Sequence, residues 1–285
     1  MVVLVGGARM TRTLKPAAIL LAIVTAAMVG GCASGGPKKP PTGTPEPDKF
    51  LWERGTENLN DKKWVVAREY FRQLVDSYPQ SRYRADAKLG MGDTYLGERS
   101  AESFVLAANE FREFLSFYPT HERADYAQYK LGMTYFYQMR AAMRDQTETR
   151  NAIKELQAFI PKYPNSPLLP EVKQHLREAK DRLDDWDTGV AEHYFRIKWY
   201  PGVIGRLKPL LESDPEYTHR DDVYYYYGES LARIGRQAEA ITYFERLVKE
   251  FEQSEHLEYA KKRIAELKAT APAGPAKEIP KGQNP

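Results

Sequence analysis

The sequence predicts an all-α protein that folds as a right-handed α-solenoid of about five helix pairs. One pattern occurs five times along the 285 residues: a small residue, a large apolar residue four positions later, an apolar pair, and a proline twelve positions after the small residue. These spacings follow one face of a helix with about 3.6 residues per turn, so each copy is a helix buried on one stripe. Proline lacks the N–H that would continue the helix and therefore ends it. A register that recurs in this way is typical of stacked repeats.

The five copies differ little from one another. Their small residues are Ala67, Ala107, Ala152, Val203 and Ala240. The large residues four positions later are Phe71, Phe111, Leu156, Leu207 and Phe244. The prolines are Pro79, Pro119, Pro164 and Pro215, and Glu252 takes the place of the fifth. We interpret these stripes as core and not as ligand contacts. An ordinary helical bundle would also bury such stripes, but it gives no reason for one register to recur five times.

A second helical pattern precedes each stripe and in most copies carries a glycine, at Gly55, Gly92, Gly132 and Gly228. A glycine inside a helix costs about 1 kcal/mol relative to alanine. Its recurrence therefore predicts a close approach of the paired helix, which we place at the small residue of the second helix. The order Gly–x–x–Tyr, Ala–x–x–x–Phe, Pro resembles the tetratricopeptide repeat. The resemblance covers about residues 48–268, with an insertion at Met139–Arg150.

Residues 1–31 predict a lipoprotein signal peptide. Basic residues lead into an apolar run from Ala17 to Val29, which is too short for a membrane span of about 20 residues. The run ends in Val29-Gly30-Gly31-Cys32, which resembles the bacterial lipobox, where the cysteine is acylated and becomes the mature N-terminus. We expect Cys32 to be the lipid anchor, the alternative being a signal peptide with a chance cysteine. Ala33 follows, and not the aspartate that resembles an inner-membrane retention signal, so the expected location is the outer membrane, facing the periplasm.

Two segments carry too little apolar surface to form a core. Residues 32–47 are rich in glycine, proline and lysine and predict a flexible tether behind the lipidated N-terminus. Residues 270–285 have a similar composition and predict a disordered tail.

The charge balance excludes a general nucleic-acid-binding function. The chain has 42 basic and 39 acidic residues, and residues 1–31 hold three of the basic ones and none of the acidic ones, which leaves 39 of each. We expect no nucleic-acid partner, because a nucleic-acid-binding domain usually carries a clear basic excess.

The sequence contains none of the motifs that would indicate an enzyme or a cofactor site. The five histidines are far apart, without an obvious carboxylate partner, so we expect no metal, no cofactor and no catalytic residue. The cluster Asp184, Asp185 and Asp187 could suggest a metal, but we interpret it as the solvated face of a charged helix over residues 171–198. In that helix Arg177/Asp181, Glu178/Arg182 and Lys180/Asp184 are four residues apart and are expected to pair. The run Tyr224–Tyr227 spans the whole circumference of its helix, so some of its rings should line the concave surface.

Two stretches, residues 119–134 and 179–206, indicate which family of tetratricopeptide-repeat proteins the chain resembles. Together with Tyr163-Pro164-Asn165-Ser166 and the lipobox, they resemble the BamD family, the lipoproteins of the outer-membrane β-barrel assembly complex. The resemblance implies an adaptor with two halves. Repeats one to three, residues 48–164, would receive extended C-terminal segments of unfolded outer-membrane proteins, which we call clients. Repeats four and five with a capping helix, residues 165–269, would dock the POTRA domains of a BamA-like barrel-forming subunit, and other lipoproteins of the complex would also bind.

Three residues are the candidate contacts within these halves. Tyr126 and Tyr129 are predicted to bind clients, because they fall on the first helix of the third repeat. Arg206 aligns with an arginine that in BamD resembles a salt-bridge donor to a POTRA carboxylate. It lies between Val203 and Leu207 of the buried stripe and cannot share that stripe fully, so its guanidinium must reach a surface. The alternative is an ordinary solvated arginine.

Two other functions compete with this interpretation. A different cell-envelope scaffold lipoprotein with tetratricopeptide repeats, acting in peptidoglycan metabolism or division, would share the anchor and the solenoid. A lytic enzyme fused to repeats would need a catalytic domain, for which the repeats leave no room.

Overall fold

The computed structural model describes residues 39–270, so the signal peptide, Cys32 and the C-terminal tail lie outside the described residues. Within that range the secondary structure consists of helices without a strand. The helices are α1 Pro47–Asn60, α2 Trp64–Ser77, α3 Arg84–Glu98, α4 Ala101–Phe117, α5 Ala124–Phe136, α6 Thr147–Lys162, α7 Leu169–Arg196, α8 Tyr200–Ser213, α9 Arg220–Arg233, α10 Gln237–Glu250 and α11 Leu257–Thr270. Among these helices, none combines the length and the apolar character needed to cross a membrane.

The helices form five successive pairs, from α1–α2 to α9–α10, and α11 packs on α10 as a cap. Each helix packs against the one before it and the one after it. The first helices of neighbouring pairs also touch each other, at α1–α3, α3–α5, α5–α7 and α7–α9. These extra contacts place the first helices on the more tightly curved, concave side. The predicted all-α solenoid of five helix pairs is therefore confirmed.

The recurring stripe forms the core, as predicted. The small residues at its start and the large residues four positions later are all essentially inaccessible to solvent. Each second helix ends two residues before its proline or, in the fifth pair, before Glu252. The stripe therefore sets both the buried face and the end of every second helix.

The glycines of the first helices make room for the large residue of the stripe. A Cβ on Gly55 would lie 2.4 Å from Cε1 of Phe71, and a Cβ on Gly90 would lie 2.5 Å from Cε2 of the same ring. Phe71 is thus held between the first helices of two neighbouring repeats. The prediction that the close approach occurs at the small residue was wrong, because the alanine is already enclosed and the ring needs the space.

Helix α7 is the longest of the described helices, with 28 residues, and it was predicted over residues 171–198. Its first half packs with the third repeat, where Val172 and Leu176 join the cluster around Phe159. Its second half packs with the fourth repeat, where Ala191 joins the cluster around Leu207. One continuous helix therefore belongs to both halves of the solenoid.

Candidate functional site

A cleft of about 390 Å³ lies where the first three repeats meet. The turn between α1 and α2 forms one wall, and the first helices α3 and α5 form the others. The side chains that give the cleft its chemistry are three aromatic rings, three cations and one acid: Trp64, Tyr126, Tyr137, Lys62, Arg99, Lys130 and Asp93. The cleft is therefore aromatic and has an excess of positive charge.

Tyr126, one of the two predicted client contacts, lies in this cleft. Its hydroxyl donates to the carboxylate of Asp93, at 2.9 Å from each oxygen, and Lys130 Nζ is 4.0 Å from Oδ1 of the same carboxylate. Burial raises the pKa of Asp93, while the charge of Lys130 and the hydrogen bond from Tyr126 oppose that rise. Burial and the neighbouring carboxylate also raise the pKa of Tyr126. The hydroxyl of Tyr126 is thus engaged, and its ring is contacted by Arg123 at 4.6 Å and by Lys130 at 5.1 Å.

Two cations of the cleft are held in an unusual backbone conformation. Lys62 has a φ of 59° and Arg99 has a φ of 55°, which is the left-handed region that favours glycine. Both residues occupy the turn between the first and second helix of their repeat. The corresponding turns of repeats four and five have Lys198, with a φ of 63°, and Gly235, with a φ of 85°. Glycine would adopt this backbone conformation at residues 62 and 99 with less strain. Each of the two cationic residues therefore lowers the folding stability by about 1 kcal/mol or more relative to an unstrained backbone.

The rings beside these cations are fixed by the neighbouring repeats. The guanidinium of Arg99 lies 4.1 Å from the centre of the Tyr137 ring, which joins the second repeat to the third by a cation–π contact. Trp64 lies against Gly97. A cation beside aromatic rings can capture a carboxylate and can stack on aromatic side chains.

Tyr129, the second predicted client contact, does not line the cleft. Its ring is only 6% exposed and packs in the cluster with Met133 and Phe159. Its hydroxyl donates to Glu171 Oε1 at 2.7 Å, which ties α5 to the start of α7. The burial of the ring leaves too little surface for a ligand, so the prediction that Tyr129 contacts clients was wrong, and the residue has a packing role.

Arg206 lies on α8 and faces α7. Its side chain is 33% exposed, its Nε is 2.8 Å from Asp187 Oδ1, and its guanidinium stacks 4.4 Å from the ring centre of Trp186. Burial raises the pKa of Asp187, and the charge of Arg206 opposes that rise. Asp187 and Trp186 of the same chain therefore orient the guanidinium, which reaches the surface at the α7–α8 face. The sequence did not reveal Trp186 and Asp187 as its neighbours.

The acidic cluster of α7 is not a solvated face, and that interpretation was wrong. Arg177 forms two hydrogen bonds with Asp214, the residue that follows α8, at 2.9 and 2.7 Å, and its Nη2 also lies 3.6 Å from Asp184. The predicted pair with Asp181 does form, at 2.9 Å. Asp184 interacts with Asp214, and the guanidinium of Arg182 donates to the carbonyl oxygen of Arg140. The predicted pairs Lys180/Asp184 and Glu178/Arg182 are not among the ion pairs of residues 39–270. Burial, together with the hydrogen bond and charge of Asp214, raises the pKa of Asp184 to about 7.

Two histidines have carboxylate partners, contrary to the expectation from the sequence. His219 lies 2.9 Å from Asp185, and His256 lies 2.9 Å from Asp222. Glu255 brings a second carboxylate to within 3.8 Å of His256. The equivalent turn of the first repeat has a hydrogen bond from Ser81 to Asp48 at 2.6 Å. The same tie between a turn and the preceding first helix thus recurs without histidine, which favours a structural role for the His256 cluster.

The tyrosine run divides between the core and the surface, as expected for four successive helical residues. Tyr224 and Tyr227 are buried, whereas Tyr225 and Tyr226 are only partly buried. Tyr225 stacks on His256 with a centroid distance of 4.1 Å, and Tyr226 contacts Phe195 of α7 at 5.2 Å.

Comparisons with known proteins agree with this architecture. The profile of the YfiO family, described as outer membrane lipoprotein, matches residues 45–236, and a tetratricopeptide repeat profile matches residues 222–254. The chain is 29% identical over 228 residues to the outer membrane protein assembly factor BamD of Caulobacter vibrioides, covering 79% of this chain and 73% of the relative. It is 24% identical over 208 residues to the BamD of Vibrio cholerae, covering 69% and 83%.

The family profile spans more than half of the chain and includes both the cleft and the α7–α8 face. The tetratricopeptide profile falls on the fifth helix pair. From this match and the helix-pair solenoid, we conclude that the chain belongs to the YfiO family of outer membrane lipoproteins, which includes the BamD assembly factors.

Proposed function

We propose that this protein is an adaptor in the assembly of outer-membrane β-barrel proteins. In this proposal the cleft binds extended C-terminal segments of unfolded clients, and the α7–α8 face around Arg206 docks on the POTRA domains of a BamA-like subunit. The family and the names of its relatives support the general role. The observation that carries the client-binding part is the pair of strained cations, Lys62 and Arg99, in an aromatic cleft.

The location follows from the same proposal. Acylation of Cys32 would anchor the protein in the outer membrane, with residues 33–47 as the tether and the solenoid in the periplasm. Two or three acyl chains hold a protein stably on a bilayer, whereas one chain does so only marginally. The tether would let the cleft reach clients near the membrane while other lipoproteins of the complex bind elsewhere on the solenoid. The proposal requires neither a catalytic group nor a cofactor.

The test uses two glycine substitutions that relieve the same backbone strain in different repeats. Arg99→Gly removes a cation of the cleft, and Lys198→Gly removes the cation at the corresponding turn of repeat four. Lys198→Gly should not lower the unfolding midpoint, because glycine adopts a positive φ without strain. In Arg99→Gly the relieved strain offsets the lost cation–π contact with Tyr137, so its midpoint should change little. Binding of a fluorescent C-terminal peptide of an outer-membrane barrel protein should weaken at least about fivefold for Arg99→Gly only, since the lost cation contributes on the order of 1 kcal/mol or more.

A peptide with an amidated C-terminus serves as the second arm. If Arg99 captures the terminal carboxylate, amidation should weaken binding to the wild type and have little further effect on Arg99→Gly. Equal affinities of the wild type and both glycine variants for the free peptide would contradict the proposed cleft. Depletion of the protein in cells should lower the level of barrel proteins in the outer membrane, and normal barrel levels with altered division would favour the scaffold alternative.

A further inference from the structure

The connection between α5 and α6 is a fixed structure, although it has no regular helix. Gln146 is 3% exposed, and its side-chain amide donates to the carbonyl oxygens of Ala141, Ala142 and Arg144 at 2.9, 3.0 and 3.1 Å. Its own amide oxygen accepts a hydrogen bond of 2.7 Å from Thr149. One buried side chain thus holds the loop in a single conformation, which lowers the entropic cost of presenting it to a partner.

The loop presents cations around one apolar side chain. Arg140, Arg144 and Arg150 are exposed, and none of them forms an ion pair within residues 39–270. Met143 lies among them and is 61% exposed. Asp145 is nearby, but its carboxylate accepts hydrogen bonds from the backbone and side chain of Thr147. We call residues 139–150 the arginine loop.

The arginine loop is continuous with the face that contains Arg206. Arg182 on α7 donates to the carbonyl oxygen of Arg140 at 3.0 Å. A Cβ on Gly189 would lie 2.8 Å from Sδ of Met143, so the loop rests directly on α7. Asp187, two residues before Gly189, pairs with Arg206 and also feels the positive charge of Arg150. The loop and Arg206 therefore belong to one surface.

We propose that the arginine loop docks on a carboxylate-rich patch of the same partner that Arg206 binds, with Met143 filling an apolar site in that patch. This inference rests on the proposed docking function of Arg206 and extends it to a second contact. Guanidinium groups match carboxylates in a bidentate geometry, and a mobile thioether adapts to an irregular apolar site. A fixed loop with an apolar centre suits a folded acidic surface better than it suits a fluid layer of anionic lipids.

The test compares two double charge reversals in the full chain. Arg140→Glu/Arg144→Glu changes the loop, and Arg72→Glu/Lys162→Glu makes the same change in charge at exposed residues on α2 and α6, outside the half assigned to docking. Binding to the purified POTRA fragment is measured by calorimetry at low and high salt. We expect the loop variant to bind at least about tenfold more weakly at low salt, with a smaller difference at high salt, and the control to change less than about twofold.

The outcomes separate this inference from the function on which it rests. Wild-type protein that does not bind the POTRA fragment would overturn both. Wild-type binding that the loop variant retains within about twofold would overturn the loop alone. If the loop variant keeps its POTRA affinity but no longer sediments with phosphatidylglycerol vesicles, the surface faces the membrane and the proposal is wrong. Arg140→Gln/Arg144→Gln, which removes the charge without reversing it, should show the same order of effects if the reversed variant unfolds.

Discussion

Trp64 lies directly over Gly97, so that a Cβ at residue 97 would come within 2.8 Å of the ring atom Cη2. The ring belongs to the second helix of repeat one, and the glycine belongs to the first helix of repeat two. The missing side chain lets the indole lie flat against the neighbouring helix and form part of the cleft wall. The shape of the cleft therefore depends on the absence of a side chain at residue 97.

Gly97→Ala should move the Trp64 ring and weaken client-peptide binding several-fold. Overpacking of this kind commonly lowers stability by about 1–3 kcal/mol. The far end of the indole can relieve part of this cost by moving into the cleft. Gly205→Ala on α8 is the control, because a Cβ there meets nothing within 4 Å. The control should stabilise its helix by up to about 1 kcal/mol and leave binding unchanged. Unaltered peptide affinity in Gly97→Ala would show that the position of the Trp64 ring does not matter for peptide binding.

Gly132→Leu should destabilise the third repeat by about 1–3 kcal/mol. A Cβ at residue 132 would lie 2.7 Å from Cδ2 of Leu156, a buried residue of the stripe. From the sequence we placed this contact near Ala152, one turn earlier on α6. Urea unfolding measures the effect, and an unchanged midpoint would show that the two helices pair in another register.

Asp184→Asn should stabilise the protein more at pH 8 than at pH 5. The folded-state pKa of Asp184 is raised to about 7, mainly by burial, while an unfolded aspartate titrates near 3.8. The folded state therefore holds an extra proton between these values, and the stability that this proton contributes is lost as the pH rises toward 7. Asparagine mimics the protonated acid, so urea unfolding at pH 8 should show a gain on the order of 1–2 kcal/mol. An equal effect at both pH values would show that Asp184 does not share a proton with Asp214.

Arg206→Ala should weaken POTRA binding at least about tenfold, because a carboxylate of the partner would be left unpaired. Helicity and the unfolding midpoint should change little, since the Arg206–Asp187 pair lies at a surface. Asp187→Asn tests whether the internal partner only orients the guanidinium, and it should have the smaller effect on affinity. A loss of affinity below about twofold for Arg206→Ala would show that Arg206 is an ordinary solvated arginine and not a partner contact.

Cys32→Ser should release the protein from membranes into the soluble envelope fraction while the solenoid remains folded. Fractionation of cells that lack the proposed POTRA partner measures this, because the partner could otherwise retain the variant at the membrane. Circular dichroism of the released protein provides the control for folding. Tight membrane association of the serine variant in those cells would count against Cys32 as the anchor.

The periodic parts of the molecule were predictable, and the parts that depend on contacts between distant residues were not. Phe71 and Phe244 were identified as core because a helical stripe encodes burial locally. The burial of Tyr129 could not be predicted in the same way, since it depends on residues of later helices such as Phe159 and Val172. Likewise, Arg177 binds Asp214 across 37 residues, while the sequence offered only neighbours four residues apart.

The cleft was predicted only in part for the same reason. Tyr126 was identified from its helix, but Trp64 and Arg99 come from other repeats and meet it only in the folded chain. The positive φ of Lys62 and Arg99 could not be predicted from the sequence. Such a turn is usually recognised by a glycine, and these positions hold a lysine and an arginine. The face around Arg206 was predicted as a surface, whereas its extension into the arginine loop required the contact of Met143 with α7.

Helix α7 has a mechanical consequence for the whole protein. Its 28 residues make a rod about 42 Å long, at about 1.5 Å per residue, whose two ends are embedded in different halves of the core. If a partner docks as proposed, a tilt that it imposes on α8 would act on α7, which packs against α8, α6 and α5, and α5 forms a wall of the cleft. Docking at one end would then change the width of the cleft at the other, so the proposed function predicts that client affinity differs between the free and the partner-bound protein.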